Sequence, residues 1–129
     1  REQKEEKQEG EGKGYIFQST GKKYVVQQIM KYMEENYREK ISLEQIAANM
    51  YLSSFYIAKI FKSETGDTPI NYLIRLRMEK AKEILEIFPE EPIKEVAAAV
   101  GYSDAYHFSK LFKKHYGISP LYYKKDSFS

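Results

Sequence analysis

The sequence contains no cysteine and no tryptophan, and His107 and His115 are its only histidines. The absence of cysteine excludes disulfide frameworks, thiol catalysis and zinc sites built from thiolates, and it is consistent with a reducing compartment. No run of apolar residues approaches the roughly 18 residues of a membrane span, and residues 1–22 contain no stretch that resembles a signal peptide. These absences predict a soluble protein that works inside the cell.

The chain also lacks a strong excess of charge of either sign. Its 129 residues include 21 Lys or Arg and 19 Asp or Glu, which leaves a net charge of +2. The basic residues concentrate near the end, because residues 104–125 contain five lysines against Asp104 alone. Such a segment suits either a polyanionic partner or an ordinary solvated lysine surface. With 42% hydrophobic residues the chain can bury a core, and its length fits one domain or two very small ones.

Residue patterns of catalysis and of cofactor binding are missing as well. The glycines of residues 10–22 never complete the phosphate-loop spacing, because position 23 is lysine rather than serine or threonine. His107 follows Asp104 by three positions, but neither a nucleophile nor a glycine-rich anion nest accompanies this pair. We therefore expect no enzyme activity, no cofactor and no metal ion.

The first 22 residues are more polar than the rest of the chain. Five positive and five negative charges balance there, and glycines occupy positions 10, 12 and 14. This composition predicts a linker or tail over residues 1–22, while the first nine residues also suit the end of an upstream helix. Because the sequence does not begin with methionine, we expect it to be a C-terminal piece of a longer protein.

From position 23 onward the apolar residues recur at helical spacing, and no segment alternates as a strand does. The first helix is predicted from Lys23 to about Asn36. Later helix starts follow from capping residues, since a side-chain oxygen can accept a backbone N–H that the first turn leaves unpaired. The predicted starts are marked by Ser42 with Gln45, Ser53, Thr68 with Pro69, Ser103 or Asp104, and Ser119 with Pro120. The sequence therefore predicts an all-α fold of about seven helices.

Two parts of the chain repeat each other. Residues 43–53 align with 93–103, and residues 57–72 align with 108–123, where six of 16 positions are identical. Each copy is predicted to hold a short helix, a tight turn and a second helix, which is the helix-turn-helix arrangement. Two copies are too few for a solenoid, so the pattern indicates a duplicated module.

The predicted helix-turn-helix units span about 42–66 and 92–117, and a linker helix over about 69–88 joins them. A linker about 27 Å long suits the reading of two adjacent major grooves, which recur about every 34 Å on one face of DNA. The alternative is an ordinary helical hairpin in a bundle that binds other proteins. The duplication favours DNA, because it supplies two equivalent helices for one duplex.

The second copy contains Ile-x-x-Val-Ala, then Val-Gly-Tyr-Ser-Asp at the turn, Phe-Ser-Lys-Leu-Phe-Lys in the next helix and Gly-Ile-Ser-Pro-x-x-Tyr at its end. The first copy, SLEQIAANMYLSSFYIAKIFKSETGDTPINYL, has a related pattern, and the segment IRLRMEKAKEIL forms the linker between the two copies. Over about residues 24–125 the chain thus resembles the DNA-binding domain of AraC/XylS-type bacterial transcription regulators. The resemblance implies two helix-turn-helix units within residues 23–129, attached to an N-terminal sensor or receiver domain.

In that family the positions that match Phe55, Ala58 and Lys59 reach base edges, and helical spacing places them opposite the apolar face. The predicted base contacts are Ser54, Phe55, Ala58 and Lys59 on the first recognition helix and Ala105, Tyr106, His107, Ser109 and Lys110 on the second. The second set offers more hydrogen-bonding groups, so we expect it to carry at least as much of the specificity.

The remaining basic residues are expected to contact phosphates, which position a protein without specifying a sequence. They are Lys62, Arg75, Arg77, Lys113, Lys114, Lys124 and Lys125. For Arg75 and Arg77, ion pairs with Glu79 or Glu83 are an equal alternative. Asp104 has two readings as well, as a helix cap or as an acceptor for a cytosine amino group.

These features together predict sequence-specific binding of double-stranded DNA, with regulation of transcription in the bacterial cytoplasm and with no membrane partner. We expect RNA polymerase as a further partner and assign the chain to the activators, although its residues are compatible with repression as well as activation. A helical protein-interaction module without DNA binding is the alternative function.

Overall fold

The computed structural model describes the backbone of residues 11–128 and the side chains of residues 21–124. Seven α-helices and no strand occur in this part of the chain. The helices are α1 (Glu11–Asn36), α2 (Leu43–Asn49), α3 (Ser54–Thr65), α4 (Pro69–Ile87), α5 (Ile93–Ala99), α6 (Ala105–Tyr116) and α7 (Pro120–Phe128). The predicted all-α fold is confirmed, and α2 to α6 match the predicted elements within about two residues.

The first helix is longer than its apolar pattern predicts. α1 begins at Glu11, whereas the sequence placed its start at Lys23 and assigned residues 1–22 to a linker or tail. The predicted helix start is therefore wrong, because residues 11–22 are helical, while their role as a linker stays a prediction. Residues 1–10 lie outside the described part of the chain. Each glycine disfavours a helix by only about 1 kcal/mol relative to alanine, which does not stop a helix already nucleated further along.

The described residues form two compact units. The first unit takes the described residues up to Tyr32 together with Leu43–Pro69. Its buried side chains include Ile29 of α1, Ile46 of α2 and Phe61 of α3. Burial of each large apolar side chain contributes about 1.5 to 3 kcal/mol of stabilisation, so this face of α3 is committed to the core. The opposite face of α3 is left for other contacts.

The second unit takes Met33–Ser42 and the described residues from Ile70 onward. One hydrophobic cluster holds it together, and α4, α5 and α6 all contribute to that cluster. Its buried members are Met78, Ala81, Leu85, Val96, Ala97, Val100, Phe108 and Phe112. The rings of Phe108 and Phe112 lie 5.9 Å apart, and their burial shows which face of α6 packs against the core.

Each unit contains one helix-turn-helix, made by α2 and α3 in the first and by α5 and α6 in the second. The second helix of each pair is capped by the side chain that precedes it. The Ser53 hydroxyl accepts a hydrogen bond from the Tyr56 amide at 3.1 Å, and an Asp104 carboxylate oxygen accepts one from the Tyr106 amide at 3.0 Å. Both predicted caps are therefore confirmed, and they define where the two recognition helices begin.

The turns of the two helix-turn-helix units both contain a residue with a positive φ, but the residue type differs. Tyr51, the residue that aligns with Gly101 in the repeat, has a φ of 57°, and Gly101 has a φ of 100°. A left-handed conformation costs a residue with a Cβ about 1 to 2 kcal/mol, whereas glycine adopts it without that penalty. The Tyr51 side chain is 95% exposed and so gains little from packing in return.

Replacement of Tyr51 by glycine is therefore expected to stabilise the protein by about 0.5 to 1 kcal/mol, because it relieves the strain at this turn. Tyr51→Ala is the matched control, since it removes the same exposed ring but keeps the Cβ. Urea unfolding of both variants measures the effect. An equal gain in the two variants would show that the ring, and not the backbone conformation, destabilises the turn.

Candidate nucleic-acid interface

The first recognition helix, α3, presents an aromatic and basic outer face. Ile57, Ile60 and Phe61 are buried on one side of this helix. On the other side Phe55 is 78% exposed, and Lys59 is exposed as well. The predicted contacts Ser54 and Ala58 are half-buried, and Lys62 is exposed in the last turn. This face can supply an apolar contact to a thymine methyl group and a lysine donor to guanine.

The second recognition helix, α6, presents a more polar outer face. Phe108 and Phe112 are buried, whereas Tyr106 is 72% exposed and both His107 and Lys110 are exposed. The Lys110 ammonium group lies 5.1 Å from the centre of the Tyr106 ring, within the range of a cation–π contact. The other predicted contacts, Ala105 and Ser109, are half-buried at the edge of the same face.

The start of α6 is arranged by Asp104. In addition to its bond with the Tyr106 amide, the same carboxylate oxygen accepts a hydrogen bond from the His107 amide at 3.3 Å. Asp104 therefore caps α6, which is one of the two roles predicted for it. Because a negative side chain also interacts favourably with the positive end of the helix dipole, the cap stabilises the turn that carries Tyr106 and His107.

The end of α6 carries the largest group of basic residues in the described part of the chain. Lys113, Lys114 and His115 all belong to its last turn, and all three side chains are exposed. Cations at a helix C-terminus interact favourably with the helix dipole, so this placement is stabilising in the absence of any partner. The His115 ring also packs edge-on against Tyr116 at 4.6 Å. Both lysines remain available to phosphate groups.

The prediction that Arg77 contacts phosphate is wrong. Its side chain is only 8% exposed, and its guanidinium group donates to the carbonyl oxygens of Tyr37 at 2.9 Å and Glu39 at 2.7 Å. A buried guanidinium needs such acceptors, because desolvation of an unpaired charge is costly. A sequence signal was available: Arg77 lies four residues from both Leu73 and Ala81, which are buried on the same stripe of α4.

Three further predicted phosphate contacts, Arg75, Lys124 and Lys125, differ in their surroundings. Arg75 is exposed on α4, with its guanidinium carbon 5.3 Å from the centre of the Tyr72 ring. Lys124 is half-buried and donates to the carbonyl oxygen of Glu91 at 2.6 Å, which commits one of its three N–H donors inside the protein. The side chain of Lys125 lies outside the described residues, so its phosphate contact stays a prediction.

One part of the second unit is acidic. Burial and three neighbouring carboxylates raise the pKa of Tyr116 above its ordinary value. These carboxylates belong to Glu79, Glu83 and Glu86 on α4. The Tyr123 hydroxyl donates to Glu86 in the same region. Lys82 lies here too, with its ammonium group 5.2 Å from the centre of the Tyr116 ring. The three carboxylates outnumber it, so this surface is less suited to phosphate contact than the last turn of α6.

The Lys80 ammonium group also lies among acidic neighbours, 3.0 Å from a carboxylate oxygen of Glu34. The hydrogen bond to Glu34 raises the pKa of Lys80 above its ordinary value.

The described residues contain no helix that is both long and apolar enough to cross a membrane. They also contain no group of three or more His, Asp and Glu side chains that could hold a metal ion.

Two capped recognition helices, whose exposed faces carry aromatic and basic side chains, define a protein of the helix-turn-helix class. A family model described as a helix-turn-helix domain matches residues 46–126, which is more than half of the chain. Solved structures of AraC-type DNA-binding domains are among those that resemble it. The chain belongs to the AraC-type helix-turn-helix family, a family of DNA-binding domains of transcription regulators and not a class of enzymes.

The chain is 38% identical over 94 residues to the MmsAB operon regulatory protein of Pseudomonas aeruginosa, an alignment that covers 73% of this chain and 30% of that protein. It matches the C-terminal domain of AraT, a response regulator from Geobacillus stearothermophilus, at 35% identity with a TM-score of 0.77, over 79% of this chain and 84% of that one. It also matches the DNA-binding domain of the transcriptional factor AdpA in complex with a target DNA, at 27% identity with a TM-score of 0.73, over 78% and 90% of the two chains.

The chain spans only about a third of the length of the first curated relatives that it matches, namely 30%, 35% and 37%. These relatives therefore contain large segments with no counterpart in this sequence. Their full activities, signals and partners are properties of longer proteins.

Proposed function

We propose that this chain binds double-stranded DNA in a sequence-specific manner, with α3 and α6 as its recognition helices. The exposed faces of these helices would read base edges, and the basic residues nearby would contact phosphates. The repeat in the sequence supports contact of both helices with one duplex at adjacent major grooves, because each copy supplies one equivalent helix. The AdpA domain, similar in fold, is itself described in complex with its target DNA.

The observation that carries this proposal is the outer face of α6. Lys110 and His107 offer hydrogen-bonding groups to base edges, while the exposed Lys113 and Lys114 lie one turn further along the same helix. Lysine can donate to guanine O6 or N7, and histidine can donate or accept. A helix with base-reading groups near its start and phosphate-binding groups near its end suits insertion into a major groove.

A titration of a DNA duplex with this chain at two salt concentrations tests the proposal. Four to five phosphate contacts imply a slope of about −4 in a plot of log affinity against log salt, so affinity should fall roughly 100- to 1000-fold between 50 and 200 mM salt. Fluorescence anisotropy of a labelled duplex measures it. Lys113→Gln should reduce the slope by about one unit, because it removes one phosphate contact.

Lys31→Gln is the matched control, since it changes the net charge equally at an exposed position of α1 outside the proposed interface. Its slope should equal that of the unaltered chain. An absence of duplex binding at both salt concentrations would instead favour a helical protein-interaction module, the competing function.

Regulation of transcription follows as the wider role. We propose that the chain is the output domain, over residues 23–129, of a longer cytoplasmic regulator with an N-terminal sensor or receiver domain. Contact with RNA polymerase and action as an activator belong to the same proposal, and no enzyme activity of the domain itself is part of it. Support comes from relatives named as operon regulatory proteins and transcriptional activators, and from their much greater length.

A further inference from the structure

Arg77 joins two segments of the second unit that are far apart in sequence. Its Nε donates to the Tyr37 carbonyl oxygen and its Nη2 to the Glu39 carbonyl oxygen, at 2.9 and 2.7 Å. Tyr37 and Glu39 lie in the turn that follows the last residue of α1, Asn36. The planar guanidinium fork binds both at once, which restricts its position and its orientation more than a lysine ammonium would.

The same guanidinium group packs against the turn of the second helix-turn-helix. Its central carbon lies 5.2 Å from the centre of the Tyr102 ring, in the geometry of a cation–π contact. Gly101 also lies against it, because a Cβ added there would come within 3.0 Å of the same carbon atom. The fork is thus held between the end of α1 and the residues that connect α5 to α6.

The Tyr102 ring continues this set of contacts to the outer face of α6. It meets the His107 ring edge-on, with ring centres 5.7 Å apart and an angle of 69° between the planes. The Tyr102 hydroxyl is buried and has no hydrogen-bond partner among the described residues. Ring packing therefore holds this tyrosine in place without help from its hydroxyl. The centre of the buried Phe108 ring lies 6.0 Å from that of Tyr102, and the Arg77 guanidinium group supplies the second contact.

We propose that Arg77 is a positioning residue for base recognition by His107, acting through the Tyr102 ring. This proposal rests on the proposed function, since it assigns a role within the same DNA-reading helix. Arg77 touches no DNA in this arrangement. It sets the Tyr102 ring, the ring limits the rotamers of the His107 imidazole, and the imidazole reaches the base edge in an orientation that favours one base pair.

Arg77→Lys tests the proposal, because lysine keeps the charge but cannot bind both carbonyl oxygens through one planar fork. Affinity is measured for a preferred duplex and for one altered at the base pair that depends on His107, identified by binding of His107→Ala. The ratio of the two affinities should fall about fivefold in Arg77→Lys, within the discrimination of one base contact. In a His107→Ala background the same substitution should change this ratio no further, because its effect passes through His107.

Arg38→Lys is the matched control. Arg38 is exposed and also stacks on a tyrosine, with its guanidinium carbon 5.5 Å from the centre of the Tyr37 ring. Its replacement should leave the affinity ratio unchanged. Equal loss of affinity of Arg77→Lys for both duplexes would overturn the proposal, and so would a fall in the ratio that persists when His107 is absent.

A measurement on the protein without DNA separates this proposal from the proposed function. The proton chemical shifts of the His107 ring report its position over the Tyr102 ring, and they should move in Arg77→Lys but not in Arg38→Lys. Unchanged shifts would overturn the positioning role even if DNA is bound. Moved shifts in a chain that binds no duplex would support the contact from Arg77 to His107 and defeat the proposed function instead.

Discussion

Replacement of Gly101 by alanine is expected to lower the free energy of unfolding by about 3 kcal/mol, because it combines backbone strain with a steric clash. Gly101 has a φ of 100°, and a Cβ on it would lie 2.8 Å from the Tyr37 carbonyl oxygen. That oxygen cannot move away cheaply, since Arg77 binds it at 2.9 Å. The substitution should also weaken DNA binding, because it displaces the turn that leads into α6.

Gly117→Ala is the control for this prediction. Gly117 also has a positive φ, of 80°, but nothing lies within 4 Å of the Cβ position. Its replacement should therefore lower the free energy of unfolding by only about 1 kcal/mol, the strain contribution alone. Urea unfolding of both variants gives the comparison. Equal losses would mean that the close approach to Tyr37 is relieved by a small shift and contributes nothing.

Replacement of Lys110 by alanine is expected to reduce affinity for a preferred duplex by about tenfold, which is within the 1 to 3 kcal/mol of a base contact. Lys110 lies on the exposed face of α6, with its ammonium group held over the Tyr106 ring at 5.1 Å. Because this contact limits the positions of a flexible side chain, less conformational entropy is lost when it binds a base. The loss should be much smaller for a duplex changed at the contacted base pair.

Lys113→Ala supplies the comparison, since Lys113 lies three residues further along α6, in its last turn. A phosphate contact does not depend on sequence, so this variant should weaken binding to both duplexes alike. Dissociation constants of the two variants on matched and mismatched duplexes decide the assignment. Equal losses of Lys110→Ala on both duplexes would place Lys110 among the phosphate contacts.

The features that could be predicted from the sequence are local ones. The caps at Ser53 and Asp104 join a side chain to an amide two or three residues away, and Pro69 begins α4 as its missing N–H allows. The burial of Phe61 and Phe112 likewise agrees with the helical spacing of the apolar residues in α3 and α6. Such interactions need only a few neighbouring residues, so a short window of sequence contains the information for them.

The exposed side chains of the candidate interface could also be predicted from the sequence, because exposure on a helix follows from the position of its apolar stripe. Phe55, Lys59, Tyr106, His107 and Lys110 are exposed as that argument requires. The helical state of residues 11–22 and the burial of Arg77 were not predicted. The polar composition of residues 11–22 favoured a linker without regular structure. The charge of Arg77 favoured a side chain exposed to water.

The sequence by itself determined the all-α fold, the duplicated helix-turn-helix and the outward faces of α3 and α6, because periodicity and capping act within one or two turns. Only the tertiary structure decided that Arg77 is buried and that Lys124 binds the Glu91 carbonyl oxygen. The acceptors of Arg77 lie 40 and 38 residues away along the chain. A cation can leave water only where the fold brings such acceptors to it. The apolar stripe of α4 indicates that Arg77 shares a face with Leu73 and Ala81, but it does not contain the acceptors.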